Sequence, residues 1–338
     1  MVTPEIVLDE LVIDDRNGLV HVVLDRPQAL NALSVGMIDR LLPVLQGDTT
    51  VLVTGAGGKA FCSGGDVKAV WNTLKTDGVE AATDYFRHEY RMNAALFAHK
   101  VPYISFLNGI VMGGGYGISA HGTYLIATDT TAFAMPETKI GFFPDVGAIY
   151  HLARAPHELG TWLALTGNTV NAGDMVYAGL AHAFVPLASF DGFKAALSEG
   201  VDAALENYSV PAPQSGILKA HEDVIAHCFV FDMVEDILDA LKTEGSAFAL
   251  QTAVDIESRC PLSLKVALKH IRLAATDDFE SVIARDLFLA HRFMEGDNFA
   301  EGIRAALIDR DRQPRWNPAT LAGVDQNLLN LYFPGSRD

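Results

Sequence analysis

A chain of 338 residues, 49% hydrophobic and 20% charged, has the profile of an ordinary globular protein. It exceeds the usual single core, so one large domain with a smaller appendage is expected. A formal net charge of −17, with no Lys/Arg-rich run to offset it, argues against nucleic acid or an anionic membrane surface as partner, and an anionic ligand would need a local basic pocket.

The first fifteen residues contain Glu5, Asp9, Glu10, Asp14 and Asp15 and no basic residue, which fits neither a signal nor an Arg-rich transit peptide. No run reaches the roughly 18 apolar residues that span a bilayer. The expected compartment is therefore cytoplasmic. Ile6 to Ile13 and Leu19 to Leu24 are β-branched-rich runs around Arg16-Asn17-Gly18, a hairpin pattern. Arg26-Pro27 stops the second strand, and Ser34 is placed to cap a helix running to about Leu45. Thr50 to Thr54 reads as a buried strand, followed by the glycine-rich loop Gly55–Asp66. Helices are expected over Asp66–Leu74 and Val79–Ala98. In the second of these Tyr85, Phe86, Glu89, Tyr90 and Met92 partly share a face, with Glu89 either a boundary residue or a pocket residue.

The stretch Tyr103 to Gly147 follows: an apolar run ending in Asn108-Gly109, the triple glycine Gly113-Gly114-Gly115, a second apolar run Tyr124–Ala127, and two carboxylates, Glu137 and Asp145, each directly after a proline. Helices over Pro156–Thr166 and Ala172–Ala178 and a strand over Ala183–Pro186 complete an alternation that indicates an α/β architecture. Beyond Ser189 the strand pattern ceases. Phe193–Asn207, His221–Ala226, Met233–Leu241, Phe248–Ser258, Leu262–Ala275 and Phe279–Met294 all carry helical spacing. Pro211–Gly216 is the best linker, dividing an α/β body over 1–210 from a helical region over 211–338.

Two phosphate motifs fail in the glycine loop. Gly55-Ala56-Gly57-Gly58-Lys59-Ala60 fits the loose dinucleotide pattern, but a second glycine pair stands where that motif needs a helix. Lys59 is followed by Ala60 rather than Ser or Thr, so the Walker pattern fails too. No G-x-S-x-G elbow exists, His88, His151 and His157 lack H-E-x-x-H spacing, and Cys62, Cys228 and Cys260 form no zinc or disulfide framework, so no metal is expected. What remains is two glycine pairs at helix starts. Each either presents unpaired N–H groups to an oxyanion or only permits close packing. Glu137 and Asp145 sit on turns, because Pro136, Gly141 and Pro144 break any shared helix. There they either cap and solvate or form an acid/base pair.

Leu24–Leu33 (LDRPQALNAL), Ala60–Asp66 (AFCSGGD) and Gly109–Gly115 (GIVMGGG) resemble the crotonase superfamily, the enoyl-CoA hydratase/isomerase-like proteins. Within it, Ala134–Gly147, Phe86–Tyr90, Ser246–Leu250 and Glu301–Trp316 resemble the 3-hydroxyisobutyryl-CoA hydrolases, with departures at His88 and Ala148. The likeness spans nearly the whole chain. It implies a spiral core of repeated β-β-α turns and a CoA thioester whose carbonyl oxygen is held by the N–H groups of Gly65 and Gly114. It also implies Glu137 with Asp145 as the catalytic pair, and Glu89 and Asp66 as substrate contacts. Arg26, Lys59 and Lys68 would face the CoA phosphates. No cofactor is implied, CoA being part of the substrate. The second glutamate of true hydratases falls on Gly117 here, which points to hydrolysis of a short-chain 3-hydroxyacyl-CoA in valine breakdown. An enoyl-CoA hydratase or isomerase and a catalytically silent binding protein of the same fold are the alternatives. Crotonase-like proteins form trimers or hexamers, so a homo-oligomer is a further expectation, unless the longer helical tail covers the surface used.

Overall fold

The computed structural model describes residues 10–16, 18–214 and 216–334. Residues 6–9 of the first expected strand, Asn17 of the hairpin turn and Ser215 of the linker lie outside them, as do nine of the acidic first fifteen.

Two sheets form the body. The larger has six strands in the order β1 (Leu11–Arg16), β2 (Leu19–Leu24), β3 (Thr50–Gly55), β5 (Tyr103–Leu107), β7 (Tyr124–Ala127) and β10 (Ala183–Phe184). β1 and β2 are antiparallel, with Arg16 opposite Leu19 as the hairpin reading requires, and the remaining pairs are parallel. Parallel strands covered on both faces read as continuous apolar runs, and β3 shows why. Val51 and Val53 enter the main core, whereas Leu52 points to a second cluster with Ile104, Phe106 and Ile126 under the helices Phe190–Ala196 and Val201–Tyr208. The single helix expected over Phe193–Asn207 is broken, because Gly200 takes φ 113°, a left-handed conformation that glycine adopts without strain.

The smaller sheet, β4 (Ala60–Cys62), β6 (Ile110–Met112), β8 (Ala132–Ala134) and β9 (Val170–Asn171), is absent from the sequence reading. Its strands have two or three residues, too few to display a period of two. It is nevertheless the sheet that aims the glycines. β4 leads out to Gly64-Gly65 and β6 to Gly113-Gly114, and the two strands pair in parallel.

Helices α1 (Val35–Val44), α2 (Val67–Thr76), α3 (Val79–Phe97) and α4 (Gly114–Ala120) follow these strands. Ser34 caps α1 by accepting from the Met37 N–H at 3.2 Å, as its position predicts. On α3 the residues Ala82, Phe86, Glu89, Asn93 and Leu96 recur every three to four positions and are all buried, so the helix carries a polar pair inside its apolar stripe.

The helices after residue 210 do not stand apart, since one hydrophobic core takes residues from both sides of that point. The helix Phe279–Glu295 lies antiparallel along α3. Phe279 stacks on Phe97 at 4.0 Å at one end, and His291 meets the Thr83 hydroxyl at 3.3 Å at the other. Phe142 closes the middle, packing on Phe86, Phe293 and Phe299 at centroid distances of 5.2–5.4 Å. No helix among the described residues is long and apolar enough to cross a membrane.

Candidate active site

The sequence Leu24–Leu33 builds the first wall. Leu30 and Asn31 both take left-handed backbone, and Asn31 bridges with its side chain, donating to the carbonyls of Ala56 and Ala60 at 3.0 and 2.8 Å and accepting from the Arg26 N–H. The chain is thereby pinned beside the glycine loop. Ser63 N–H donates to the Leu30 carbonyl, Leu33 N–H to that of Gly64, and Asp66 N–H to that of Leu33. These bonds use the Gly64 carbonyl and the Asp66 N–H on either side of Gly65 and leave its own N–H without a partner among the described residues.

Gly114, the first residue of α4, is likewise without a partner for its N–H, as the first turn of a helix requires. The two amides lie side by side: a methyl placed on Gly114 would be 3.0 Å from the Gly65 nitrogen and 2.3 Å from Glu89 Oε1. A methyl on Gly113, which sits at φ 47°, would be 2.8 Å from Glu137 Oε1. Two free peptide donors and two carboxyl groups therefore converge on one spot, and no side chain larger than hydrogen fits at either glycine.

Glu137 opens a 3-10 turn over Glu137–Ile140 that Gly141 ends at φ 72°. It is buried, and its Oε2 has no partner. Burial pushes its carboxyl well above the ordinary carboxylate range, and the nearby Asp145 and Glu89 push it further. Glu89 is also buried with Oε1 unpartnered and is raised for the same reasons, burial first and Asp145 second.

Asp145 comes from the irregular segment before helix Ala148–Leu152. The Tyr90 hydroxyl donates to its Oδ2 at 2.5 Å. Burial raises its pKa, the Tyr90 bond opposes that rise, and Asp286 adds to it. The backbone just after it is strained: Val146 and Gly147 both take positive φ, 54° and 70°, the first a costly conformation for a β-branched residue. Three bonds hold it there. His121 Nε2–H donates to the Val146 carbonyl at 2.7 Å, Gly147 N–H donates to Asp286 Oδ2 at 2.7 Å, and Ala148 N–H donates to the Asp145 carbonyl at 2.8 Å. Asp286 in turn meets His270 Nε2 at 2.6 Å, both fully buried. Burial pulls the His121 imidazole down to about 4, so it is neutral and its Nε2 carries the proton given to Val146.

The structure thus brings Glu137, Glu89, Gly65 and Gly114 together, with Asp145 close enough to raise the pKa of both glutamates. Asp66 caps α2, accepting from the Ala69 N–H at 3.0 Å, and its other oxygen pairs with Arg26 at 3.1 Å. Arg26 also meets Glu10 at 2.8 Å and donates to the Ala32 carbonyl. Lys59 and Lys68 are exposed near the same loop. Cys62 is fully buried on β4, and burial lifts its thiol to about 12, which removes it as a nucleophile. Among the described residues no group of three or more His, Cys, Asp or Glu could hold a metal ion.

Sequence reasoning missed the residues that position Asp145: the hydroxyl of Tyr90, His121, and the His270–Asp286 pair. One signal was available. Asp286 falls at the buried spacing Val282, Ile283, Asp286, Leu289, Ala290, Phe293 of an otherwise apolar helix face, where a carboxylate is expected only with a partner.

A family model described as enoyl-CoA hydratase/isomerase matches residues 19–333. Among curated proteins, the mitochondrial 3-hydroxyisobutyryl-CoA hydrolase of Rattus norvegicus is 40% identical, covering 96% of this chain and 89% of that protein. The corresponding Homo sapiens protein is 38% identical, covering 98% and 90%. Among solved structures, a carnitinyl-CoA dehydratase from Mycobacterium thermoresistibile superposes with a TM-score of 0.92 at 37% identity, covering 97% of each chain. An enoyl-CoA hydratase from Rhodobacter sphaeroides gives 0.90 at 32% identity, covering 96% of this chain and 97% of that one.

Proposed function

The chain belongs to the enoyl-CoA hydratase/isomerase family, and we propose that it hydrolyses the thioester of a short-chain 3-hydroxyacyl-CoA, with 3-hydroxyisobutyryl-CoA giving 3-hydroxyisobutyrate and CoA. The named activity of the relatives that match nearly end to end supports the substrate. The observation that carries the chemistry is the meeting of two unpartnered peptide N–H groups with the buried carboxyl of Glu137, whose Oε2 is unpartnered.

In this reading the thioester oxygen accepts from Gly65 and Gly114 N–H. These donors are fixed before the reaction, so they stabilise the oxyanion more than the ground-state carbonyl, each by about 3–4 kcal/mol. Glu137 takes a proton from the attacking water, or attacks the carbonyl carbon itself to give a mixed anhydride that water cleaves. Either route develops the same oxyanion on the same donors. Asp145, aimed by Tyr90, orients the water or the 3-hydroxyl, or protonates the departing CoA thiolate. Glu89 orients the acyl group. Lys59 and Lys68 are the charges open to the CoA phosphates, since Arg26 is engaged by Asp66 and Glu10.

Hydration of a double bond fits less well. A methyl on Gly117 would lie 2.7 Å from Val146 Cβ and 3.1 Å from Asn93 Nδ2, so no carboxylate reaches the site from that position. Glu137→Gln tests the assignment. Thiol release from 3-hydroxyisobutyryl-CoA should fall by about a thousandfold, while CoA binding measured by calorimetry stays within about twofold. Unchanged turnover would contradict it.

A further inference from the structure

Most buried side chains in this protein have hydrogen-bond partners, and the exceptions call for a reason. Asn93 has no exposure to solvent, and neither its Oδ1 nor its Nδ2 finds a partner. It stands four residues after Glu89 on the buried stripe of α3, so the two side chains project from the same face one turn apart. Their partners in α4 are spaced to match. Glu89 abuts Gly114, and Asn93 abuts Gly117, one turn deeper than the oxyanion donor. Val146, next to Asp145, borders the same point.

With the thioester oxygen on Gly65 and Gly114, a side chain one helical turn beyond Gly114 is at the depth of the acyl chain rather than of the thioester. In a 3-hydroxyacyl thioester the hydroxyl oxygen lies three bonds beyond the carbonyl carbon. That hydroxyl both donates and accepts, and the asparagine amide offers one acceptor and two donor hydrogens, which an ionised carboxylate does not. Resting on the thioesterase reading above, we propose that Asn93 is a specificity-determining residue that binds the 3-hydroxyl of the acyl group through its otherwise unpartnered amide. The empty hydrogen-bonding capacity is the means of selection. An acyl chain lacking the hydroxyl leaves the buried amide unpaired in the complex, and sites built this way discriminate strongly against such analogues.

The test compares thiol release from 3-hydroxyisobutyryl-CoA and isobutyryl-CoA, which differ only in that hydroxyl, for wild type, Asn93→Leu and Asn93→Ala. Wild type should prefer the hydroxylated ester. In Asn93→Leu the ratio of the two kcat/KM values should fall at least about a hundredfold, chiefly through loss on the hydroxylated ester. The leucine variant should melt no lower than wild type, since it removes an unpaired buried amide. Asn93→Ala adds no bulk and should lose the preference likewise, which keeps the test decisive if leucine disturbs packing. A preference that survives in the folded variants, or an equal fall on both esters as a water-holding role would give, overturns the proposal. Wild-type enzyme that releases no thiol from either ester overturns the thioesterase reading as well, so the two failures are distinguishable.

Discussion

The site has two sides built on opposite principles. The proposed oxyanion side is backbone: the N–H groups of Gly65 and Gly114, brought together by the paired strands β4 and β6 and contributed by sequence no more than 49 positions apart. The acid side is side chain. Asp145 depends on Tyr90, 55 positions away, and the loop that carries it depends on Asp286, 139 positions from the Gly147 amide it accepts. The first side needs only that nothing be added at the glycines. The second needs several buried polar groups to stay paired, and it recruits the helices after residue 210 to do so. On the proposed reading, part of the catalytic geometry therefore resides in a region that carries no residue of the reaction itself.

Breaking the backbone side should have the largest effect. Gly114→Ala puts a methyl 2.3 Å from Glu89 Oε1 and 3.0 Å from the Gly65 nitrogen. Loss of one oxyanion donor typically costs about 10²–10³ in kcat, so thiol release should fall by that factor while CoA binding persists. A fall under about fivefold would mean that the oxyanion does not rest there.

Breaking the acid side from a distance should act on stability and rate together. Asp286→Ala leaves His270 Nε2 and the Gly147 N–H unpaired in a fully buried place. Removing one partner of such a pair costs about 3–5 kcal/mol, to be read from urea unfolding, and the strained Val146–Gly147 backbone should relax, lowering kcat with little change in KM. A loss under about 1 kcal/mol would mean that the pair does not hold the loop.

The smallest effect sharpens the contrast. Glu89, buried with its pKa raised, adds to stability while protonated, and that contribution is lost as pH rises through its folded pKa. Glu89→Gln should therefore melt higher than wild type at alkaline pH, by about 1–2 kcal/mol, with the gap closing below the ordinary carboxylate range. No gap at any pH would contradict the burial argument. Activity responds in the opposite direction. In the proposed mechanism Glu137 acts ionised, so turnover should fall as the solution is acidified through its raised pKa.

The two sides were also unequally legible in the sequence. The glycine pairs announce themselves, because Gly64-Gly65 and Gly113-Gly114 stand at helix starts after apolar runs. The motif Leu24–Leu33 could be recognised by resemblance, although only the structure shows that Asn31 pins the loop by its side chain. Glu137 and Asp145 were legible as turn carboxylates whose role stayed open. The second sheet was not legible, since strands such as Ala60–Cys62 are shorter than any periodicity. The partners Tyr90–Asp145 and Gly147–Asp286 were not legible either, because no local rule links residues so far apart. The cytoplasmic expectation rests on residues that are mostly outside the described ones, and the curated relatives are named as mitochondrial.

The central claim is that both sides together cleave a thioester rather than hydrate a double bond. The most direct measurement follows free thiol and the enoyl absorbance in parallel, with purified wild-type protein on 3-hydroxyisobutyryl-CoA, 3-hydroxypropionyl-CoA and crotonyl-CoA. The account predicts one equivalent of CoA thiol released per 3-hydroxyacyl ester consumed and no hydration of crotonyl-CoA. Loss of the crotonyl double bond without thiol release from any ester would contradict it.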